Sequence, residues 1–504
     1  MSDKSNSKFS TSMLDGAKHL IPDSDDLELE EFIKKNIDRK VVAVQGLGFV
    51  GTVMSLVIAN DDNDQYAVLG VDQKTTDSYW KIGDLRDGKL PIISSDPLVK
   101  ELHEKSIEKM NFLATFDSKA YKYADYIIVD INLDVQKVSS NQGKILDYEV
   151  SLTAFEQAIQ EIGKFCKPEV LVLVETTVPP GTCRKIAYPI LKNELKKRNL
   201  PEDKFKLGHS YERVMPGPNY IDSIKNFYRV YSGINERSAT EVEKFLKTII
   251  STDKFPLTRL HSTEASEMAK VLENSYRAMN ISFMVEWSRF AENSGVNIYE
   301  VIDAIRQRPT HANMMYPGIG VGGYCLTKDP LLASWASKKF FNLNTGLESS
   351  VKAVEINDQM PIFCFNFIEG VLKSIDKKIK NVGFLGVAYG PGIGDTRFSP
   401  VEKLYKLMSK EFNIFCSDPY VKYWQEMDIS PYQNINDLLV HKLDCIIITT
   451  GHKDYIESDH IYKFLAQSEV NSIPIIDTVG LIDSSKLPNC YESGKNFFVL
   501  GTGN

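Results

Sequence analysis

Between Pro317 and Pro330 the chain reads Pro-Gly-Ile-Gly-Val-Gly-Gly-Tyr-Cys-Leu-Thr-Lys-Asp-Pro. A cysteine, Cys325, stands just after four glycines (Gly318, Gly320, Gly322 and Gly323) and four residues before an aspartate, Asp329. Glycine costs chain entropy, so four within six residues predict a loop that bends sharply or lets a ligand approach the main chain. A thiol at the exit of such a loop can act as a nucleophile, with the Asp329 carboxylate acting on a proton or a water beside it. A buried, inert cysteine in a tight turn would leave the same sequence.

A second group with chemical potential lies upstream. Ser262 to Ser294 runs without proline or internal glycine and is apolar at helical spacing through Ala265, Met268, Leu272, Tyr276 and Met279. Ser262 and Gly295 suit its two ends. Lys270 and Asn274 lie four apart and so share a face of that helix. A lysine and an amide aimed at one point can hold an oxygen that becomes negative; a solvated face is the plainer reading. At ~1.5 Å per residue the helix is ~45 Å long, enough to join two domains or to pack against its copy in a partner subunit.

These groups need a frame, and the first informative piece of it is Val41-Val-Ala-Val-Gln-Gly-Leu-Gly-Phe-Val-Gly51. A β-branched run leads into Gly46, Gly48 and Gly51 at the spacing that gives a tight turn, backbone N–H groups close to a pyrophosphate, and close helix-to-strand packing. A second strand, Tyr66 to Asp72, ends in a carboxylate about 20 positions on, where it would take the ribose hydroxyls and repel a 2′-phosphate. The pattern predicts NAD as cofactor, with Gly46, Gly48, Phe49, Val50, Gly51 and Asp72 in its site. Further strands at Tyr126–Ile131 and Val170–Val174 alternate with helical stretches, which predicts a parallel sheet wrapped by helices. Ligands sit beyond the carboxyl ends of such strands. Thr177, in Glu175-Thr-Thr-Val-Pro-Pro-Gly181, is therefore placed to touch cofactor or substrate, unless the segment is only a turn.

From Lys378 a second strand-and-helix series begins: Val382–Leu385, Asn413–Cys416, Cys445–Thr449, Pro474–Ile476 and Phe497–Leu500. Its first loop, Gly386-Val-Ala-Tyr-Gly-Pro-Gly-Ile-Gly-Asp395, leads to Arg397. A glycine-rich strand end followed by an arginine suits an anion; equally, Arg397 could only neutralise Asp395. The fold class is thus α/β, with two doubly wound domains joined by the long helix and a helical middle region.

Composition sets outer limits. The 504 residues exceed one core, and the 43% hydrophobic and 25% charged content is that of a globular enzyme. A net charge of -8 argues against a nucleic-acid partner. Seven scattered cysteines without metal-ligand spacing predict a reducing compartment and no structural zinc. No apolar run reaches the ~18 residues of a membrane span and no secretory signal opens the chain, so a cytoplasmic protein is expected.

In order along the chain stand GLGFVG, GVD, TVPPG, ERVMPG, EMAKVLENSYRAMNIS, PGIGVGGYC, KDP, DTRFSP and SDPYV. Together they resemble the UDP-glucose/GDP-mannose dehydrogenase family of nucleotide-sugar 6-dehydrogenases over nearly everything from residue 39 onward, and most of all its UDP-N-acetylhexosamine branch. The resemblance implies an N-terminal extension (1–38), an NAD-binding domain (39–257), a central helical domain (258–360) and a UDP-sugar-binding domain (361–504). It implies a four-electron oxidation of the sugar C6 alcohol to a carboxylate, in which Cys325 forms a thiohemiacetal and then a thioester. Lys270 and Asn274 would stabilise the alkoxide and oxyanion, Asp329 would handle water, and Thr177 would complete the catalytic set. Glu212, Arg213, Lys270, Asn274, Arg277, Tyr316, Gly318, Gly322, Tyr389 and Arg397 would hold the UDP-sugar, and the long helix would make a homodimer.

The chain departs from the family pattern in four places. Tyr324 replaces the usual histidine before the cysteine, Gly390 stands for a lysine, and Asp130-Ile-Asn132 replaces Pro-Thr-Pro. Pro216 occupies the position of a glutamate that serves the UDP-glucose branch. Close alternatives are a UDP-glucose or GDP-mannose 6-dehydrogenase, a two-electron hydroxyacid dehydrogenase, and a silent nucleotide-sugar-binding protein.

Overall fold

The computed structural model describes residues 9–140, 142–211, 213, 217–470 and 473–503. Its strands are β1 (Phe9–Thr11), β2 (Lys18–Leu20), β3 (Lys40–Gln45), β4 (Tyr66–Val71), β5 (Phe112–Thr115), β6 (Tyr126–Val129), β7 (Asp134–Ser139), β8 (Ile145–Ser151) and β9 (Leu171–Val174). They continue as β10 (Lys206–Tyr211), β11 (Val230–Gly233), β12 (Thr258–Arg259), β13 (Asn381–Leu385), β14 (Asn413–Ser417), β15 (Cys445–Ile448), β16 (Ile475–Asp477) and β17 (Phe497–Val499). The helices that bear on the site are α1 (Asp26–Lys35), α2 (Phe49–Ala59), α3 (Trp80–Arg86), α4 (Thr263–Ser294), α5 (Asp329–Lys339) and α6 (Glu348–Ser374).

The chain divides into two compact units. The first comprises residues up to 134, 150–271 and 339–342; the second comprises 135–149, 272–338 and 343 onward. In the first unit eight strands form one sheet in the order β12-β11-β10-β9-β6-β3-β4-β5. All neighbours are parallel except β10 and β11. Both faces of a parallel sheet must be covered, and the strands read accordingly: all six residues of β4 are buried. Helix α2 closes over them, with Val53, Leu56, Val57 and Ile58 in the same core as Val42, Val44 and Val68. Because β4 and β6 flank β3, the strand order reverses at the end of β3, which is where the glycine loop sits.

The second unit repeats the plan on a smaller scale. Its sheet, β14-β13-β15-β16-β17, is parallel throughout, and its order reverses at the end of β13. Val382 and Phe384 of β13 share a core with Met360, Cys364 and Ile368 of α6 and with Val285 of α4.

Both doubly wound folds and the long helix stand as the sequence predicts; the differences are local. The strand expected to reach Ile131 ends at Val129, because Asp130 turns there to bring its carbonyl against Gly46. The N-terminal extension is folded onto the first unit: β1 and β2 form a hairpin ahead of α1, and Ser10, Ser12 and Asp25 are buried. The β7–β8 hairpin was not foreseen, since its outer strand is exposed along most of its length and shows no apolar alternation.

Candidate active site

In the first unit the loop after β3 is built for close approach. Gly46 adopts φ +101°, and a Cβ there would lie 2.0 Å from the Asp130 carbonyl oxygen. A Cβ on Gly51 would lie 1.9 Å from the Gly46 carbonyl oxygen, so only glycine lets the first turn of α2 pack on the strand end. Gly48, by contrast, faces open space at the N-terminus of α2, where Phe49 and Val50 begin the helix. Asp72 follows β4 and is fixed rather than loose: its Oδ2 accepts the Leu47 N–H at 2.9 Å and pairs with Lys81 Nζ at 2.5 Å, while Oδ1 accepts the Gln73 N–H at 2.7 Å. An N-terminal helix end free of side chains, next to an anchored carboxylate, fits a pyrophosphate and its neighbouring ribose. The unusual Asp130 lies here too, its carboxylate 3.2 Å from where a Gly51 Cβ would be.

The loop after β9 carries Thr177, half-buried, while the neighbouring Thr176 is taken up structurally: its Oγ1 accepts the Ile131 N–H at 2.8 Å. The same loop is tied to the start of α4. Glu267, wholly buried, accepts the Gly181 N–H at 2.5 Å and the Cys183 N–H at 2.8 Å through its two oxygens. Burial pushes its carboxyl up to about 7 even though these hydrogen bonds favour the charge. One turn on, Lys270 is buried with Nζ 5.4 Å from the centre of the Tyr211 ring. Arg213 donates to the Tyr211 hydroxyl at 3.3 Å. Glu212 lies outside the described residues.

In the second unit Cys325 is exposed, and the N–H groups of Lys328 and Asp329 donate to its carbonyl at 3.2 and 2.9 Å, starting α5. Asp329 is fully buried and doubly engaged: Asn274 Nδ2 donates to one oxygen at 2.7 Å, and Lys328 Nζ pairs with the other at 2.7 Å. Lys328 also lies 4.4 Å from the centre of the Tyr324 ring, so the aromatic residue that stands for histidine holds a buried cation.

The glycine loop ahead of the cysteine is clamped from two sides. Asn357 on α6 accepts the Val321 N–H at 2.6 Å and donates to the Val321 carbonyl at 2.8 Å. Pro361, four residues further along α6, has no N–H to offer the Asn357 carbonyl. That carbonyl lies 3.4 Å from where a Gly320 Cβ would be. On the other side Gly323 donates to the Arg397 carbonyl at 3.1 Å, and a Cβ on Gly322 would meet Phe398 O at 2.5 Å and Tyr389 Cβ at 2.6 Å. Cys325, Gly322, Tyr389 and Arg397 are therefore brought together. The Arg397 guanidinium is held by Asp395, with Nη2 donating at 2.6 Å and Nε at 3.0 Å. Gly318 lies at the start of this loop, Arg277 is exposed on α4, and the Tyr316 hydroxyl donates to Asp303.

The two glycine loops share a design that their sequences do not announce. Asp418, after β14, accepts the N–H groups of Val387 at 2.8 Å and Ala388 at 3.0 Å, as Asp72 accepts that of Leu47. Burial opposes ionisation of Asp418, but His452 at 3.1 Å and the backbone donors outweigh it and hold its carboxyl below the usual range.

Three family models match in succession: the NAD binding domain over residues 40–250, the central domain over 264–359 and the UDP binding domain over 383–484 of the UDP-glucose/GDP-mannose dehydrogenase family. The chain belongs to this family. It is an NAD-dependent nucleotide-sugar dehydrogenase. It is 29% identical to the UDP-N-acetyl-D-mannosamine dehydrogenase of Methanocaldococcus jannaschii, over 94% of this chain and 99% of that one. Among solved structures it resembles UDP-D-ManNAc dehydrogenase from Pyrococcus horikoshii, with 26% identity, a TM-score of 0.73, and 92% and 99% of the two chains covered. It also resembles the NDP-N-acetyl-D-galactosaminuronic acid dehydrogenase of Methanosarcina mazei, with 26% identity, a TM-score of 0.71, and 94% and 98% covered.

Within this dehydrogenase, sequence reasoning passed over Glu267, Lys328 and Asn357. Each had a signal: an acid one turn before Lys270, a lysine beside Asp329, and an asparagine four residues before a proline inside a helix.

Proposed function

We propose that the chain oxidises the C6 primary alcohol of a UDP-N-acetylhexosamine to the carboxylate. The observation that carries this reading is the exposed Cys325 thiol set just ahead of α5 beside the Asn274–Asp329–Lys328 network, in which Asp329 and Lys328 are buried. The names of the relatives favour the N-acetylhexosamine class.

NAD, held by the Gly46–Gly51 loop and Asp72, supplies the hydride acceptor for both oxidations. Lys270 stabilises the alkoxide with its charge, and Thr177, in the loop after β9, completes the catalytic set. Once the aldehyde has formed, Cys325 Sγ bonds to its carbonyl carbon and the oxygen takes a proton, giving a thiohemiacetal that keeps the half-oxidised sugar in place. The Asn274 amide has two N–H donors, one spent on Asp329 and one left for the oxygen at that carbon. After the second oxidation water adds to the thioester, the C–S bond breaks, and the thiol and carboxylate are released. Asp329 orients that water through Asn274 and Lys328. Arg213, Arg277, Tyr316, Tyr389 and Arg397, with the glycine backbone at Gly318 and Gly322, hold the UDP-sugar; Arg397 reaches the diphosphate by sharing or exchanging Asp395. Sugar assays should yield two NADH per UDP-N-acetylhexosamine consumed. Absence of NADH across UDP- and GDP-sugars would remove the reading, and one NADH per sugar would remove the thioester route.

We also propose self-association through α4, a reading that its surface supports. Leu272, Tyr276, Phe283, Trp287 and Phe290 are 47–63% exposed and recur at helical spacing. A row of large apolar side chains of this kind marks a contact face. Trp287→Glu with Phe290→Glu should therefore halve the mass seen by light scattering, while a parent already at the mass of one chain would refute the dimer. A cytoplasmic location accords with the free thiols and with the lack, among the described residues, of a helix long and apolar enough to cross a membrane.

A further inference from the structure

The N-terminal hairpin does something that the reaction does not explain. Helix α3 follows the Asp72 loop, yet its N-cap residue, Tyr79, makes no side-chain cap. The cap comes from β1 instead: Ser10 Oγ accepts the Trp80 N–H at 2.9 Å and donates to the Thr76 carbonyl at 2.6 Å. Ser10 is wholly buried, so this hydroxyl is a fixed partner rather than a passing one.

Two further anchors hold the hairpin on the same helix. Ser12 Oγ donates to Asp84 Oδ2 at 2.8 Å, and His19 Nε2 lies 2.7 Å from Asp84 Oδ1, with Asp84 buried. The His19 ring fills the notch left by Gly83, where a Cβ would come within 2.4 Å of it. Ile21, just past β2, packs on an apolar cluster of Tyr79, Ile82, Leu85 and Leu47, the last of these inside the glycine loop. Downstream, Asp25 accepts from Arg86 Nη2 at 2.8 Å.

The position of α3 matters because its second residue, Lys81, pairs with the Asp72 carboxylate. A chain of contacts thus runs from Ser10 through Trp80 to Lys81 and Asp72. We infer that the hairpin Phe9–Leu20 is a strap that fixes α3, so that Lys81 holds Asp72 in the orientation that takes the adenosine ribose of NAD. Ser10 and His19 are positioning residues for the cofactor, although they lie far before the glycine loop in sequence. The inference rests on the assignment of Asp72 to the ribose.

The test uses the full chain and titration calorimetry with NAD, so it does not depend on turnover. Ser10→Ala combined with His19→Ala should weaken NAD binding about tenfold, as loss of a buried, charge-linked set of hydrogen bonds implies. Lys81→Met, which cuts the last link and leaves the hairpin docked, should do the same. The Ser10→Ala, His19→Ala variant should also narrow the preference for NAD over NADP, because a displaced α3 loosens the carboxylate that rejects a 2′-phosphate. UDP binding, read in the same way, should stay within about twofold of the parent. The strap is refuted if NAD affinity stays within twofold in both variants, or if UDP affinity falls in step, since that marks general loosening. A parent that binds NAD but oxidises no sugar would count against the proposed reaction and leave the strap standing.

Discussion

Alanine at Cys325 should reduce steady-state oxidation at least about 10³-fold, with no carboxylate product, while leaving the fold intact. The thiol is exposed and fills no core space, so its removal should change stability by no more than ~0.5 kcal/mol. The first oxidation needs no covalent bond to sulfur. The variant should therefore still give up to one NADH per active site in a single turnover and then stall with aldehyde, detectable by trapping with hydroxylamine. The parent should run on to two NADH and acid. Tyr324 in place of histidine means that no imidazole precedes the thiol, and the charges nearby are different: Lys328 lies on the Tyr324 ring, and Arg397, held by Asp395, is within electrostatic reach of Cys325. Full two-NADH turnover in Cys325→Ala would leave Cys325 without a chemical role and would favour a different route from aldehyde to acid.

Much of this architecture can be read from local pattern. The β3–α2 junction announces itself because strand, glycines and helix are contiguous, and Asp72 follows at the spacing the fold demands. Cys325 and Asp329 are four apart, and the turn in which the Lys328 and Asp329 N–H groups donate to the Cys325 carbonyl, just ahead of α5, fixes their proximity locally. What stays hidden depends on long-range partners. Ser10 caps a helix whose first residue is 70 positions away, and neither partner looks unusual in its own neighbourhood. Glu267 reads as one more polar residue on a long helix until the loop 84 positions earlier closes over it. The pairing of Arg397 with Asp395 is two residues apart and was legible as an alternative; the packing of that segment on Gly322 and Gly323 was not, since it joins two glycine-rich loops that nothing in the sequence relates. The β7–β8 hairpin escaped for a different reason, because exposed strands carry too little apolar alternation to register.

Glu267→Gln should make stability less dependent on pH. In the parent the Glu267 carboxyl titrates at about 7, raised by burial from 4.5, the value expected when unfolded. Between these values the folded chain keeps a proton that the unfolded chain has released, so stability falls as pH rises from about 4.5 to 7 and is level above that. The difference amounts to about 3 kcal/mol between pH 4 and pH 8. Glutamine has no proton to lose and removes this slope, although its amide N–H₂ faces one of the backbone donors and costs a constant amount at every pH. Cys183, whose thiol burial pushes well up, stays neutral throughout the range, and Glu264 is ionised beside Arg184, so neither supplies a competing titration there. Urea unfolding at pH 5 and pH 8 should accordingly show the variant gaining on the parent as pH rises. A gap between the two proteins that is the same at both pH values would mean that Glu267 is ionised across the whole range. In that case the Gly181 and Cys183 N–H groups would be strong enough to hold a full charge next to the loop that carries Thr177.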